Sequence, residues 1–175
     1  MRRISARDPA ACAPHALHAG ERIWPESNCY VDLWIGLLHS HGLEPLAALS
    51  FTLGIDLEGD QWTFFKFPLG DLYALYGIDV FELTVWRPLA AHVEEQLALG
   101  RPVIPEIDAY YLPDTRGTSY RTDHVKTSIA IEMIDVADRR LGYFHNAGYY
   151  ELQGAEFVGA FRLEGHLANP GYRAP

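Results

Sequence analysis

The chain has 175 residues, of which 49% are hydrophobic, 13% aromatic and 21% charged. This length and composition suit one domain with a sizeable core and exclude wholesale disorder. Its 23 acidic residues outnumber its 14 Lys and Arg and give a net charge of −9, so we expect no nucleic-acid partner bound by charge. No apolar run is long enough to span a membrane, and the N-terminus lacks the apolar core of a secretory signal. We therefore predict a cytoplasmic protein without membrane contact.

Three segments are predicted along the chain. Residues 1–20 have the composition of a flexible arm, residues 21–163 form the domain, and residues 164–175 form a C-terminal tail. Apolar residues at helical spacing predict a first helix over 29–41, capped by Ser27 or Asn28 and ended by Gly42. Further helices are predicted over 69–76, 88–99 and 155–161, with Gly77 and Gly100 ending the first two of these.

Strands are predicted where aromatic or aliphatic runs lie between turn residues. These runs are residues 49–53, 62–67, 80–86, 103–111, 125–134 and 141–145. Pro105 restricts the fourth run to an edge or a bulge, and the turn at 135–140 predicts a hairpin. Because helices come first and strands dominate later, the sequence predicts an α+β fold with a largely antiparallel sheet.

Cys29 is the strongest candidate for a chemically active residue. It lies in the first turn of the 29–41 helix, where partial positive charge and unpaired N–H groups favour a thiolate and can stabilise an oxyanion. Cysteine is also common as a small buried apolar residue, and this alternative stays open. Two cysteines, Cys12 and Cys29, are too few for a disulfide framework or a four-ligand zinc site. The acidic run 56–60 is more typical of a solvated turn, so we predict no metal and no cofactor.

A nucleophilic cysteine needs a base and an orienting group. Among the eight histidines, His124 begins the 125–134 strand, and the hairpin returns His145 and Asn146 beside that strand start. The Asn146 amide can hold an imidazole in one tautomer, although an Asn at this point can equally begin a turn.

A local basic patch surrounds His124 in this otherwise acidic chain. Arg116, Arg121 and Lys126 can attract a phosphate or an acidic partner, or they can be scattered surface charge. We add Trp62, from the aromatic run 62–67, to these candidate substrate-binding residues.

The order of these features resembles a known arrangement. A Cys opening a helix (NCYVDLWIGLLH), a later His opening a strand (HVKTSIAI) and an Asn ending the next strand (FHNAGYY) resemble the papain-like Cys–His–Asn plan. The stretches RPVIPEIDAYYLPD, YRTDHVKTSIAIEMID and RLGYFHNAGYYELQGAEF resemble the butirosin-biosynthesis-type acyltransferases and the C39-like cysteine peptidases. Finally, WPESNCYVDLWIGLLH, EGDQWTFFKFP, YYLPDTRGTSYRTDHVKT and GYFHNAGYYEL resemble the bacterial family DUF1839, over about residues 22–163.

The resemblance implies a papain-like cysteine proteinase fold and a role for each residue. Cys29 matches the nucleophile, His124 the base and Asn146 the orienting residue. Apart from the resemblance, we expect the N–H groups at the start of the helix, together with Asn28, to stabilise the oxyanion. Butirosin-type acyltransferases move an acyl group from a carrier-protein thioester to an amine. The resemblance therefore implies an acyl or aminoacyl carrier protein as partner, its phosphopantetheine arm as donor and a small amine as acceptor. DUF1839 genes lie near those of amino acid:carrier-protein ligases, which agrees with this chemistry.

The sequence departs from the related families at two points. A gapless match to the C39-like domains places Thr127, not His124, at the histidine position. Family members are longer than this chain, so we expect a further C-terminal part. Two alternatives use the same residues: a cysteine peptidase or amidase, and a non-catalytic module that binds a carrier protein.

Overall fold

The computed structural model describes residues 1–4, 7–19, 28–62 and 66–163. The α-helices within these ranges are α1 (Cys29–Ser40), α2 (Leu69–Tyr76), α3 (Leu89–Ala98) and α4 (Ala155–Ala160). The first strands are β1 (Arg2–Arg3), β2 (Leu57–Glu58), β3 (Gln61–Trp62) and β4 (Glu106–Asp108). They are followed by β5 (Lys126–Ser128), β6 (Ala130–Asp135), β7 (Arg140–His145) and β8 (Gly148–Gln153).

The main sheet has four strands in the order β1-β6-β7-β8, and all neighbours are antiparallel. Two further antiparallel pairs join β2 to β3 and β4 to β5. The chain thus combines helices with a mostly antiparallel sheet, as predicted. The closer assignment to a papain-like fold stays a prediction.

Helices cover both faces of the main sheet. Tyr143 belongs to a core cluster with α3 and α4, whereas the next residue, Phe144, belongs to a cluster with α1. Because successive strand residues point to opposite faces, α1 packs on one face and α3 and α4 pack on the other. Helix α1 therefore lies against β5, β6 and β7, the strands that follow His124 in the chain.

Local signals predicted the helices well. The Asn28 side chain accepts hydrogen bonds from the N–H groups of Tyr30 and Val31, so it caps α1 as predicted. The alternative cap, Ser27, lies outside the described residues. Gly77 ends α2 in the left-handed region at φ +69°, and α4 forms at the predicted place.

The predictions of strands over 49–53 and 80–86 are wrong. Residues Pro45–Gly54 form a 3-10 helix, begun by Pro45 and capped by the Glu44 side chain. Residues 80–86 have no regular structure, and the side chains of Phe81 and Trp86 are exposed. A strand needs a neighbour for its backbone groups, and apolar composition alone does not supply one.

The remaining strand predictions are partly right. Of residues 62–67, Trp62 belongs to β3, residues 66–67 lie outside any strand, and residues 63–65 are outside the described part. The 103–111 run contains the short β4, a bridge from Val103 to Ile131 and the 3-10 helix Ala109–Tyr111. The 125–134 run divides into β5 and β6, and its hairpin with β7 is confirmed.

The described residues before residue 20 contact the domain. Strand β1 pairs with Met133 and Ile134 of β6, and the side chain of His18 is buried. Arg7 Nε lies 2.5 Å from Glu132 Oε2, and His41 Nε2 lies 2.6 Å from Glu132 Oε1. The predicted arm is thus held to the sheet over these residues, while the predicted tail over 164–175 lies outside the described residues.

No helix in the described ranges is both long enough and apolar enough to cross a membrane.

Candidate functional site

Cys29 is the first residue of α1 and is half-buried. The capping oxygen of Asn28 occupies the N–H groups of Tyr30 and Val31. The Cys29 N–H belongs to the same first turn of the helix. A side chain in this position lies at the positive end of the helix dipole.

Contacts along α1 show which way it crosses the sheet. Its last residues lie at Glu132 of β6, because His41 contacts the Glu132 carboxylate, and Arg7 joins that carboxylate to the Ser40 carbonyl. Earlier in the helix, a Cβ at Gly36 would lie 3.1 Å from the Phe144 ring. Since Phe144 pairs with Ala130, the helix runs in the same direction as β6, and it also packs against β5.

These dimensions place the beginning of α1 near the middle of β5. A helix of 12 residues is about 18 Å long at 1.5 Å per residue. The distance along the axis from Ser40 back to Cys29 is about 16 Å, because the two residues are separated by 11 such steps. The same distance along the strand, at about 3.3 Å per residue, leads from Glu132 back to Thr127. By this estimate the first turn of α1, with Cys29, is about level with Thr127 along the strand direction.

A buried carboxylate orients the His124 imidazole. His124 Nδ1 lies 2.7 Å from Asp108 Oδ2, and the other oxygen of Asp108 accepts a hydrogen bond from the Tyr110 N–H. The Tyr110 ring stacks on the imidazole with centroids 4.2 Å apart. With its Nδ1–H donated to Asp108, a neutral His124 carries its basic lone pair on Nε2. The side chain of His124 is 25% exposed, as a base that meets substrate must be.

The sheet register explains the pairing of His124 with Asp108. Strand β4 ends at Asp108, which lies opposite Lys126 at the start of β5. The Ala109 N–H then donates to the Val125 carbonyl and fixes the two ends together. This pairing brings the carboxylate to the residue that precedes β5.

A second imidazole, His145, has its own buried carboxylate. His145 Nδ1 lies 2.5 Å from Asp114 Oδ2, and Tyr143 donates its O–H to Asp114 Oδ1 at 2.5 Å. The other ring nitrogen, His145 Nε2, lies 2.7 Å from Thr127 Oγ1. The side chains of His145 and Asp114 are only 2% and 1% exposed.

Asn146 lies beside His145 rather than His124. Its amide nitrogen is 3.3 Å from His145 Nδ1, the atom that also contacts Asp114. Asn146 adopts φ +45° in the two-residue turn between β7 and β8, a conformation that Asn tolerates better than most residues. These contacts fit the turn alternative, while the orienting role assigned to Asn146 stays a prediction.

The predicted basic residues differ in their surroundings. Arg121 pairs with Glu156 at 2.5 Å, and Lys126 pairs with Glu106 at 2.9 Å, so carboxylates offset both charges. The Arg121 guanidinium also lies over the Tyr110 ring that stacks on His124, which ties it to this region. Arg116 lies over the Tyr120 ring. The side chain of Trp62 is outside the described part of the chain.

The second thiol lies at the opposite end of α1. Cys12 lines a cavity of about 220 Å³ together with Arg7, His15 and His39. Burial raises the pKa of the Cys12 thiol, and Arg7 opposes this only in part. Cys12 is therefore expected to be the less reactive thiol, which makes it a natural internal control.

Sequence reasoning missed Asp108, Asp114 and Thr127. Asp108 and Asp114 flank the segment AYYLP, so two acids six residues apart near a strand end were the available signal. The sequence points to Thr127 only as the residue that a gapless match aligns with the histidine of the C39-like domains. Across the described residues, no group of three or more His, Cys, Asp and Glu side chains could hold a metal ion.

The described residues define a mixed α and β domain with a mostly antiparallel sheet, two histidine–aspartate pairs and a helix that begins at a cysteine. The family model named DUF1839 N-terminal domain matches residues 13–173. The chain therefore belongs to the DUF1839 family. No significant match was found among curated proteins or among solved structures.

Proposed function

We propose that the protein is a cysteine-dependent acyltransferase in which Cys29 is the nucleophile and His124 the base. One observation carries this proposal: His124 has a buried aspartate on Nδ1 and its basic nitrogen on Nε2, at the start of the strand against which α1 packs. A nucleophile, a base and an orienting carboxylate are the minimum set for acyl-enzyme chemistry. Asp108 takes the orienting role that the sequence assigned to Asn146.

The proposed reaction has two steps. His124 Nε2 removes the proton from Cys29 Sγ, and the thiolate attacks the carbonyl carbon of a thioester. The Cys29 N–H and the Asn28 amide stabilise the oxyanion. The carbon–sulfur bond of the donor breaks, and the imidazolium returns its proton to the leaving thiolate. An amine then attacks the acyl-enzyme, its proton passes to His124, and the Cys29 thiol is restored.

The proposed donor is an acyl or aminoacyl group on the phosphopantetheine arm of a carrier protein, and the proposed acceptor is a small amine. A phosphate-bearing arm needs cationic contacts. Because this chain has a net charge of −9, those contacts have to come from a local group of basic residues. Arg116 and Arg121 are the proposed contacts, since Arg121 lies over the tyrosine that stacks on His124.

Mass spectrometry after incubation with charged carrier protein tests the proposal. We expect the wild type to gain one acyl group, and Cys29→Ser to gain none, because a helix end and imidazole suited to a thiolate do not ionise a hydroxyl. The substitution is nearly isosteric, so the free energy of unfolding should change by less than about 1.5 kcal/mol. Cys12→Ser is the matched control and should keep the adduct.

The rates at which iodoacetamide alkylates the two thiols at pH 6 test the proposal independently. Cys29 should react much faster than Cys12, whose thiol pKa is raised by burial. An adduct that persists in Cys29→Ser overturns the proposal. Equally slow alkylation of both thiols, without an adduct, favours a carrier-binding module. Release of the free acid instead of the amide identifies a hydrolase.

A further inference from the structure

One buried polar cluster lies beside β6 and β7, and the contacts that join its members do not involve Cys29. Asp114, His145 and Thr127 are joined in series by contacts of 2.5 and 2.7 Å through the two nitrogens of one imidazole. We propose that Thr127 is a second nucleophile of this protein, activated by His145 and Asp114, which accepts an acyl group from activated esters and thioesters. This proposal does not depend on the chemistry assigned to Cys29.

The donors around Asp114 determine the direction of the hydrogen bonds assigned to this cluster. Asp114 is 1% exposed at its side chain, so its charge must be balanced by donors. Tyr143 supplies one, because burial and the nearby Asp114 raise its pKa well above the ordinary value and keep the hydroxyl protonated. His145 supplies another through Nδ1–H, which leaves Nε2 as the acceptor in the neutral imidazole. The Thr127 hydroxyl therefore donates to His145 Nε2, as a nucleophilic hydroxyl does in a hydroxyl–imidazole–carboxylate triad.

The backbone holds each member rigidly. Thr127 lies opposite Ile107 in the β4–β5 ladder, and His145 pairs with Gly148 at the end of β7. Thr127 is half-buried, whereas the side chains of His145 and Asp114 are enclosed. Regular strands are the supports from which a reacting group is most accurately positioned.

The proposed chemical step needs no reactant besides the acyl donor. Thr127 Oγ1 attacks the carbonyl carbon of the acyl donor while its proton passes to His145 Nε2. Asp114 remains ionised and stabilises the imidazolium. The bond from the carbonyl carbon to the leaving sulfur or oxygen breaks, and the leaving group takes the proton back. The products are an ester on Thr127, a free thiol or alcohol, and neutral His145.

The test uses the full chain with Cys29→Ala, so that the cysteine cannot react. p-Nitrophenyl acetate and the acetyl thioester of N-acetylcysteamine serve as probes. We expect one acetyl group that resists neutral hydroxylamine, as an ester does and a thioester does not. Trypsin cleaves after Lys126, so the acetyl group should be found on the peptide of residues 127–139, which begins with Thr127.

Four further variants, each combined with Cys29→Ala, assign the adduct. Thr127→Val, which keeps the shape of the side chain, should remove the adduct, and Thr127→Ser should keep it. Ser128→Ala, on the neighbouring residue of the same peptide, should leave it unchanged. His145→Gln should slow acetylation by about 100-fold or more, the usual contribution of a general base. Because His145 is buried, Thr127→Val decides the outcome if His145→Gln does not fold.

Failure of this proposal is distinct from failure of the Cys29 proposal. If folded Cys29→Ala protein gains no acetyl group on Thr127, or if the group stays after Thr127→Val, the Thr127 proposal is overturned. Acylation of Cys29 in the wild type would then still support the acyltransferase proposal. A stable ester on Thr127 without any adduct on Cys29 supports the present proposal and overturns the other.

Discussion

His124 and His145 are oriented by carboxylates, and at both residues Nδ1 is the contacted nitrogen. A carboxylate on Nδ1 fixes the tautomer and stabilises the imidazolium that forms when Nε2 accepts a proton. The two pairs differ in burial: the side chain of His124 is 25% exposed and that of His145 is 2% exposed. This difference fits the two proposals, in which His124 meets substrate directly and His145 acts on the Thr127 hydroxyl.

Asp108→Asn tests the orienting role at His124. We expect the rate of acyl-enzyme formation on Cys29 to fall by about 100-fold or more, because the amide can stabilise the wrong tautomer. The fold should be retained, since the Asn oxygen can still accept the hydrogen bond from the Tyr110 N–H.

Single-turnover mass spectrometry with a thioester donor measures this rate. Asp114→Asn is the matched comparison and should leave acylation of Cys29 almost unchanged. An equal loss in both variants would show that the two histidines act on the same nucleophile.

Asn146, which the sequence suggested as an orienting residue, has a structural reason for its place in the β7–β8 hairpin. It occupies the two-residue turn of the β7–β8 hairpin at φ +45°, where Gly and Asn are the favoured residues. Its amide approaches His145, whose Nδ1 already contacts Asp114. The backbone of the hairpin thus accounts for an Asn at this position without any chemical role.

Two substitutions at Asn146 separate the turn from the chemistry. Asn146→Gly should keep both stability and acyl-enzyme formation, because Gly adopts positive φ without strain. Asn146→Ala should lower the free energy of unfolding by about 1 kcal/mol through the strain of a Cβ at positive φ. Urea unfolding and the acylation assay measure the two effects. A partial loss of acylation in Asn146→Gly, with stability unchanged, would restore the orienting role implied by the family resemblance.

At the scale of the whole molecule, ion pairs tie distant segments to the sheet and helices. Glu132, fully buried in β6, contacts both Arg7 before α1 and His41 after it. The loop before His124 is joined to α4 in a similar way, since Tyr120 and Arg121 both donate to Glu156 Oε1. These contacts hold the segment that carries Tyr110 and Arg121 against the domain.

The Glu156 contact predicts a pH-dependent contribution to stability. The hydrogen bond from Arg121 holds the pKa of Glu156 below its ordinary value of 4.5. A carboxylate with a depressed folded-state pKa stabilises the fold above its unfolded pKa, and this contribution is lost as the pH falls through the folded pKa. Wild type should therefore exceed Glu156→Gln in the free energy of unfolding by up to about 1 kcal/mol at pH 7.

This difference should shrink steadily below about pH 4.5, when chemical unfolding of both proteins is followed from pH 7 to pH 3. Glu151→Gln, which removes the exposed pair with Arg140, is the control for a surface carboxylate. A difference that stays constant over this range would contradict the assignment.

Features that depend on a few neighbouring residues were readable from the sequence. An Asn cap and apolar helical spacing determine α1, a glycine in the left-handed region ends α2, and a short turn joins β6 to β7. The position of Cys29 at a helix start followed from the same local signals. Capping, periodicity and turn formation involve residues within a few positions of one another, so their energetics are already present in the sequence.

Only the tertiary structure decided which groups face each other. Strand formation requires a partner, so the apolar run 80–86 stays irregular while the polar Arg2–Arg3 pairs with β6. The pairs of His124 with Asp108 and of His145 with Asp114 join residues 16 and 31 positions apart. A hydrogen bond between an imidazole and a carboxylate depends on a separation within about 3 Å, and strand register and hairpin closure, not composition, bring these side chains to that distance.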